Sequence, residues 1–249
     1  MAIKSFKRYE KKFILTKEQY ESLLPRLLEY MNPDKYCRNG ESYNIYNIYY
    51  DTKNNDVIRH SISKPFYKEK LRLRSYTIPS SPKDFVFLEL KKKINGIVNK
   101  RRVSLTLEEA FKFIEYGERP ISDDYINNQV INEIEYYLKN NKVYPTVYIG
   151  YTRDAFFGKD DNNFRLTFDS NITARRHDLS LMSDCYGYDI LGQNKYLMEV
   201  KILGAIPVWF TRILSELEIY NTHYSKYGNE FTTCHLSKQI NIKGAEKIC

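Results

Sequence analysis

Zinc chemistry, disulfide scaffolding and membrane spanning are all argued against by what this chain has little of. Its 249 residues hold four cysteines, four histidines and one tryptophan. Cys37, Cys185, Cys234 and Cys249 are scattered with no C-x-x-C pair, and His60, His177, His223 and His235 show no ligand spacing. That is the usage of a reducing compartment, with neither a zinc site nor a disulfide framework. No apolar run approaches the roughly 18 residues a membrane helix needs. Charges at Lys4, Lys7 and Arg8 run straight into the first strand-like segment, so no signal peptide is read and the expectation is a soluble, cytoplasmic protein. G-x-G-x-x-G, P-loop and G-x-S-x-G motifs are missing, as is any Ser-His-Asp or Cys-His arrangement.

What is present is aromatic and basic. Hydrophobic residues make up 42% and aromatics 15%, with 23 tyrosines, enough to build a core. The net charge is +8 and the isoelectric point near 9.1. This favours an acidic partner: a phosphate chain, nucleic acid or an anionic surface.

The apolar periodicity predicts strands over 6–15, 43–51, 69–77, 85–94, 97–105, 146–157, 164–173 and 196–203. Asn95-Gly96 between two of them is a strong hairpin signal. Capping boxes at Thr16/Gln19 and Thr106/Glu109 open two helices. A third helix spans roughly 124–139, and Pro207 starts a fourth. Residues 53–62 read as a short helix or turn, 175–194 as loop or minor hairpin, and the tail from Tyr224 as irregular. With strands in runs and helices of uneven length, the class is α+β with a largely antiparallel sheet. One domain is expected over 1–240, with 241–249 a mobile tail.

Charges recur at two-residue steps inside these strands: Arg8/Glu10/Lys12, Lys70/Arg72/Arg74, Glu89/Lys91/Lys93, Lys100/Arg102, Arg165/Asp169 (with Thr167 at the step between them) and Glu199/Lys201. Residues at i and i+2 share a strand face, so each segment presents its charges on one side. A solvated face explains any one of them. A sheet closing on itself would turn all of them into a basic channel with a few acidic positions. Lys70, Arg72 and Arg74 stand roughly 6–7 Å apart, comparable to phosphates along a chain, and Arg offers a fork matched to phosphate oxygens. Glu10, Glu89 and Glu199 each precede a lysine by two residues. They are either structural partners or ligands for Mg²⁺ or Mn²⁺, which take one or two carboxylates plus substrate phosphates. Glu199 is the principal candidate, because Met198 and Val200 anchor its strand.

In order along the chain come R-x-E-x-K (Arg8, Glu10, Lys12), Y-Y-D-T (49–52), K-x-R-x-R (70–74), E-x-K-x-K (89–93), K-R-R (100–102), Y-x-R (Tyr151, Arg153), R-x-x-F-D (165–169), E-x-K (Glu199, Lys201) and S-K-Y (225–227). This series resembles the catalytic domain of the vacuolar transporter chaperone (VTC) family, within the triphosphate tunnel metalloenzymes. The resemblance implies an eight-stranded, closed antiparallel β tunnel with flanking helices. It implies a metal-dependent polyphosphate polymerase, a phosphotransferase passing the terminal phosphoryl of ATP to a growing chain with Mn²⁺ or Mg²⁺. Arg72, Arg74, Lys91, Arg153, Arg165 and Lys226 would then cradle phosphates, Tyr151 would bond a phosphate oxygen near the reacting centre, and Glu199 would hold the metal, with Glu10 and Glu89 as additional candidates. Lys12, Lys70, Lys93, Arg102 and Lys201 are secondary channel residues. Two features depart from relatives: the family's sensing domain and membrane helices are not seen, which suggests a standalone bacterial form, and Arg8 stands where the cyclase and thiamine-triphosphatase branch has glutamate. The partners implied are ATP and inorganic polyphosphate or pyrophosphate. Nucleic acid is not expected, and a membrane-protein partner is left open. The alternatives are a tripolyphosphate or nucleoside-triphosphate hydrolase with the same channel, and a non-catalytic binder of polyphosphate or single-stranded nucleic acid.

Overall fold

Most strands bury one apolar row against helices and turn a row rich in charge inward, and this alternation builds the molecule. A computed structural model describes residues 9–37 and 40–234. Arg8, the expected first residues of the opening strand and the 241–249 tail lie outside them. The elements run β1 (Tyr9–Thr16), α1 (Lys17–Tyr30), β2 (Met31–Pro33), β3 (Tyr43–Asp51), α2 (Asp56–Ile62), β4 (Tyr67–Ser75), β5 (Phe85–Ile94) and β6 (Ile97–Thr106). Then come α3 (Leu107–Tyr116), α4 (Tyr125–Asn140), β7 (Tyr144–Gly158), β8 (Arg165–Arg175), β9 (Tyr188–Asp189), β10 (Lys195–Ile202), α5 (Val208–Glu216) and β11 (Asn221–Thr222). A last helix, α6, begins at residue 226.

Local chemistry accounts for most boundaries. Thr16 and Thr106 each accept from the N3 backbone amide while Gln19 and Glu109 reach back, completing both capping boxes. Asn95 (φ 45°) and Gly96 (φ 83°) take the left-handed conformations that a two-residue hairpin turn requires between Ile94 and Ile97. The resulting register sets Glu89 opposite Arg102 and Lys91 opposite Lys100, as the hairpin signal implied. The tail is not irregular at its start: Ser225 accepts from the Gly228 amide, and Tyr227 and Phe231 are buried, so capping and burial make a helix where periodicity was too short to show one.

The sheet is antiparallel in every pairing, but it is not the closed eight-stranded barrel expected. It has eleven strands in the path β11-β1-β10-β8-β7-β3-β4-β5-β6, with β2 and β9 attached to β7 and β8. The end strands β11 and β6 do not pair. Near the seam, Lys91 of β5 reaches Glu10 of β1 at 3.7 Å. Two long side chains meeting there set the backbones farther apart than the roughly 4.8 Å of a hydrogen-bonded ladder. The sheet therefore curls until its two ends approach, with this ion pair and, among the described residues, no strand pairing across the gap.

On the outer face, Leu71, Leu73, Leu88, Leu90 and Val103 pack with α3 and α4 residues Phe113, Val130, Ile131 and Ile134. Phe13, Leu15, Leu166, Phe168, Met198 and Val200 pack with Leu23 and Leu27 of α1 and Phe210 of α5. A third cluster lies inside the curl: Ile45, Tyr49, Val147, Ile149 and Leu197 meet Ile58 of α2 and Tyr227 and Phe231 of α6. Part of the inner face is thus apolar and plugged by two helices, and the remainder carries the charges.

Candidate active site: a charged inner face

The register places the expected residues on one continuous face. Lys12 lies opposite Glu199, Glu199 opposite Thr167, and Lys201 opposite Arg165. Asp169 lies opposite Arg153, Asn47 opposite Arg74, Tyr49 opposite Arg72, and Arg72 opposite Glu89. Lys93 shares the face but is exposed towards the β5–β6 turn, farthest from the rest. Arg101 faces the other way, paired with Glu133 of α4.

Two carboxylate hubs organise this face. Glu89 is fully buried and accepts from Arg72 Nε at 2.7 Å, from the Arg102 guanidinium and from Lys100 at 3.4 Å. Burial pushes its carboxyl up, but the charges of Arg72, Arg74, Lys100 and Arg102 outweigh that and hold it well below the usual range. The second hub is Asp169, which accepts a fork from Arg153 (Nε to Oδ1 2.6 Å, Nη2 to Oδ2 2.7 Å) and a bond from Lys226. Glu199 sits beside it, 3.0 Å from Lys12, 3.4 Å from Lys226 and 3.7 Å from Lys201. Burial raises the Glu199 carboxyl, and Lys12, Lys226 and Lys201 bring it far down.

Between the hubs stands Arg74, buried, donating to Asn47 Oδ1 at 2.8 Å and to the Tyr151 hydroxyl at 3.0 Å. Both acceptors are neutral, and among the described residues no carboxylate is within ion-pair distance of it. The Tyr151 ring also lies under Lys226 at 4.5 Å and Arg153 at 5.2 Å. Lys70, opposite Lys91, likewise has no carboxylate within that distance among the described residues. Burial, then Lys91, Lys68 and Lys12, pull its ammonium down to about 7. Burial also draws Lys201 and Lys100 down to about 8 against the pull of Glu199 and Glu89. Cations crowd this face beyond what its carboxylates neutralise.

The S-K-Y motif explains itself here. Asp51, the acid of Y-Y-D-T, is fully buried and takes the Thr52, Val57 and Ile58 amides at the start of α2. It also accepts from Tyr227 at 2.7 Å. Arg176 forks onto Glu230 with both contacts at 2.7 Å. These bonds seat α6, whose first residue, Lys226, thereby points at Asp169 and Glu199.

Sequence spacing missed three participants: Asp169 as a hub, Asn47 as a partner of Arg74, and Thr167. Asp169 and Arg153 meet across 16 residues, and Lys226 joins them from 57 residues away. No periodicity reports such distances. Thr167 was visible only as the residue between Arg165 and Asp169. Its hydroxyl is buried and has no hydrogen-bond partner among the described residues.

That hydroxyl bears on whether a metal fits. Among the described residues no three of His, Cys, Asp and Glu are grouped to hold an ion unaided. Glu199 and Glu10 are nonetheless near enough for each charge to act on the other, and Thr167 leaves an unused oxygen opposite Glu199. Such a set suits a hard divalent ion that draws its remaining ligands from phosphate oxygens. Glu89, saturated by Arg72, Arg102 and Lys100, has no oxygen to spare.

Among solved structures, the fold is similar to a Bacillus halodurans protein described as a candidate adenylate cyclase, with TM-score 0.52 and 15% identity over 88% of this chain and 95% of that one. A Vibrio parahaemolyticus protein described in the same way matches with TM-score 0.44 and 13% identity over 90% and 97%. No curated protein matches. The VTC domain model matches residues 7–235. A charged inner face shared by seven strands and one helix, and a family match spanning nearly all of them, lead to one conclusion: this chain belongs to the VTC domain family.

Proposed function

We propose that this protein is a polyphosphate polymerase, transferring the terminal phosphoryl group of ATP to a polyphosphate or pyrophosphate acceptor in the channel. The observation that carries the reading is the buried Arg74 guanidinium, which among the described residues has no carboxylate within ion-pair distance; the half-buried Lys70 of the same strand has none either. Keeping a guanidinium buried with no carboxylate in direct contact, and only the longer-range charge of Glu89 to offset it, is costly. An anion supplied from outside accounts for keeping it.

The roles follow from position. Arg72, Arg74, Arg153, Arg165, Lys91 and Lys226 hold phosphate oxygens, supported by Lys12, Lys70, Lys93, Arg102 and Lys201. Tyr151, already bonded to Arg74, turns its hydroxyl to a phosphate oxygen. Glu89 and Asp169 orient the arginines. Glu199, with Glu10 and Thr167, is the place for Mn²⁺ or Mg²⁺, which supplies charge neutralisation on the oxygens around the transferred phosphorus when bound. An anionic oxygen at the acceptor terminus attacks the γ-phosphorus, the bond from that phosphorus to the β–γ bridging oxygen breaks, and ADP leaves. No proton need be removed from the acceptor, so no general base is required. Positioning and charge do the work. A cytoplasmic location belongs to the same proposal; no helix among the described residues is long and apolar enough to cross a membrane.

The test is incubation of purified protein with ATP and Mn²⁺, with the products separated by gel. Long-chain polyphosphate with matching ADP supports the polymerase. Release of inorganic phosphate without polymer would make the protein a hydrolase with the same channel.

A further inference from the structure

Beyond the phosphate cradle the inner face turns aromatic. Tyr43 lies opposite Arg153, Tyr76 stands two residues past Arg74, and Phe87 lies opposite Arg74, two residues before Glu89. Their rings form a chain with Tyr36: Tyr36 to Tyr43 at 6.0 Å, Tyr43 to Tyr76 at 6.1 Å, Tyr76 to Phe87 at 5.6 Å. The Arg102 guanidinium covers Phe87 at 4.4 Å and donates to the Tyr76 hydroxyl at 2.9 Å. Tyr36, Tyr76 and Phe87 belong to none of the three cores. Tyr36 is 63% exposed and Tyr76 36%. Lys35 lies over the Tyr36 ring at 4.7 Å and Arg102 over Tyr76 at 5.8 Å, so each ring already meets a cation, and their exposure leaves area for a further flat group.

We infer that Tyr36 and Tyr76, backed by Tyr43, Phe87 and Arg102, form a stacking platform for the nucleobase of a nucleoside triphosphate whose phosphates enter the cradle. The inference rests on the proposed phosphate-channel reading and specifies how the donor, unlike the acceptor, is recognised. Register supports it. Along β4, Tyr76 follows Arg74 by one like-facing step of roughly 6–7 Å, so a ligand with phosphate on Arg74 can place its flat group over Tyr76. A phosphate chain has no π-face and gains nothing from these rings. A base gains from stacking on an aromatic ring whatever its identity, because every base has a π-face. The donor is thereby distinguished from the polymer by stacking, not by hydrogen-bond readout.

The experiment is calorimetric titration of ATP and, separately, inorganic tripolyphosphate into the wild-type protein, Tyr36→Leu, Tyr76→Leu and Tyr76→Phe. The leucine variants are expected to bind ATP about 10-fold more weakly and tripolyphosphate with unchanged affinity, which also shows that they are folded. Tyr76→Phe keeps the ring while losing the bond to Arg102, so it is expected to retain ATP affinity. Equal effects on both ligands, or none on ATP, would overturn the platform and leave the channel standing. Failure of tripolyphosphate to bind the wild-type protein would sink the channel reading and the platform with it.

Discussion

At the residue scale, the two classes of carboxylate on the inner face separate by what they already hold. Glu89 spends both oxygens on Arg72, Arg102 and Lys100, whereas Glu199 sits among several cations beside an unpaired Thr167 hydroxyl. Glu199→Gln is expected to lower metal-dependent turnover by about 100-fold or more while tripolyphosphate binding measured without metal persists or tightens. Asp169 still holds Arg153 and Lys226 in that variant, so the fold survives. Full metal-dependent turnover would remove Glu199 from the metal site. Lys70 makes a second prediction through pH. Its ammonium is drawn to about 7 in the folded chain, against 10.5 ordinarily, so the unfolded state binds more protons between those values. Its contribution therefore lets stability rise with pH across that window, and charging the half-buried amine costs stability below it. An anion reverses the preference. Tripolyphosphate binding is expected to take up a proton above pH 7 and to tighten as pH falls towards 7. Calorimetry in two buffers of different ionisation enthalpy measures that uptake, and Lys70→Met should diminish it.

At the element scale, α6 decides the most. The helix is anchored by the Arg176–Glu230 fork, the Tyr188 hydroxyl on Glu230 at 2.6 Å and Tyr227 on Asp51, and it delivers Lys226 to the channel. Glu230→Ala leaves the half-buried Arg176 unpaired, and its cost is expected to be about 3 kcal/mol in chemical denaturation. Phosphate affinity should fall as well, because Lys226 loses its fixed direction. Lys226→Met should weaken phosphate binding and leave the anchoring intact. Comparable denaturation midpoints for Glu230→Ala and wild type would show that the Arg176–Glu230 fork does not hold α6.

At the scale of the whole molecule, a curled sheet whose seam is bridged by Lys91 and Glu10 depends on charge for its shape. Burial and neighbouring Glu199 favour protonating Glu10, but Lys91 foremost, with Lys12 and Lys201, brings it down to about 2. That stabilisation is fully present above the ordinary carboxylate value of 4.5 and is lost as pH falls towards 2. A phosphate chain in the channel compensates the surplus cations, so pyrophosphate or tripolyphosphate should raise Tm. At 100-fold excess over Kd the gain is about 2.7 kcal/mol, a shift of roughly 5–10 °C for a chain of this size. Duplex DNA of matched charge should do so weakly if the proposed channel admits a single phosphate chain and not a duplex. Equal stabilisation by DNA would count against the channel.

The sequence by itself determined every residue that alternation can reach. The i, i+2 charges of β1, β4, β5 and β10 and the i, i+4 pair of β8 lie on one face because side chains on a strand alternate, and the Asn95-Gly96 turn pinned β5 to β6 because only one hairpin geometry suits those conformations. Both capping boxes and the antiparallel α+β class followed from equally local rules. Tertiary structure alone decided that the sheet stays open, that Asp169 gathers Arg153 and Lys226, and that Asn47, not a carboxylate, meets Arg74. It also decided that residue 226 begins a helix and that Tyr36 joins a row of rings begun on other strands. These outcomes depend on contacts between residues far apart in the chain, and a pattern of neighbours holds no record of which distant side chain arrives to neutralise a buried charge.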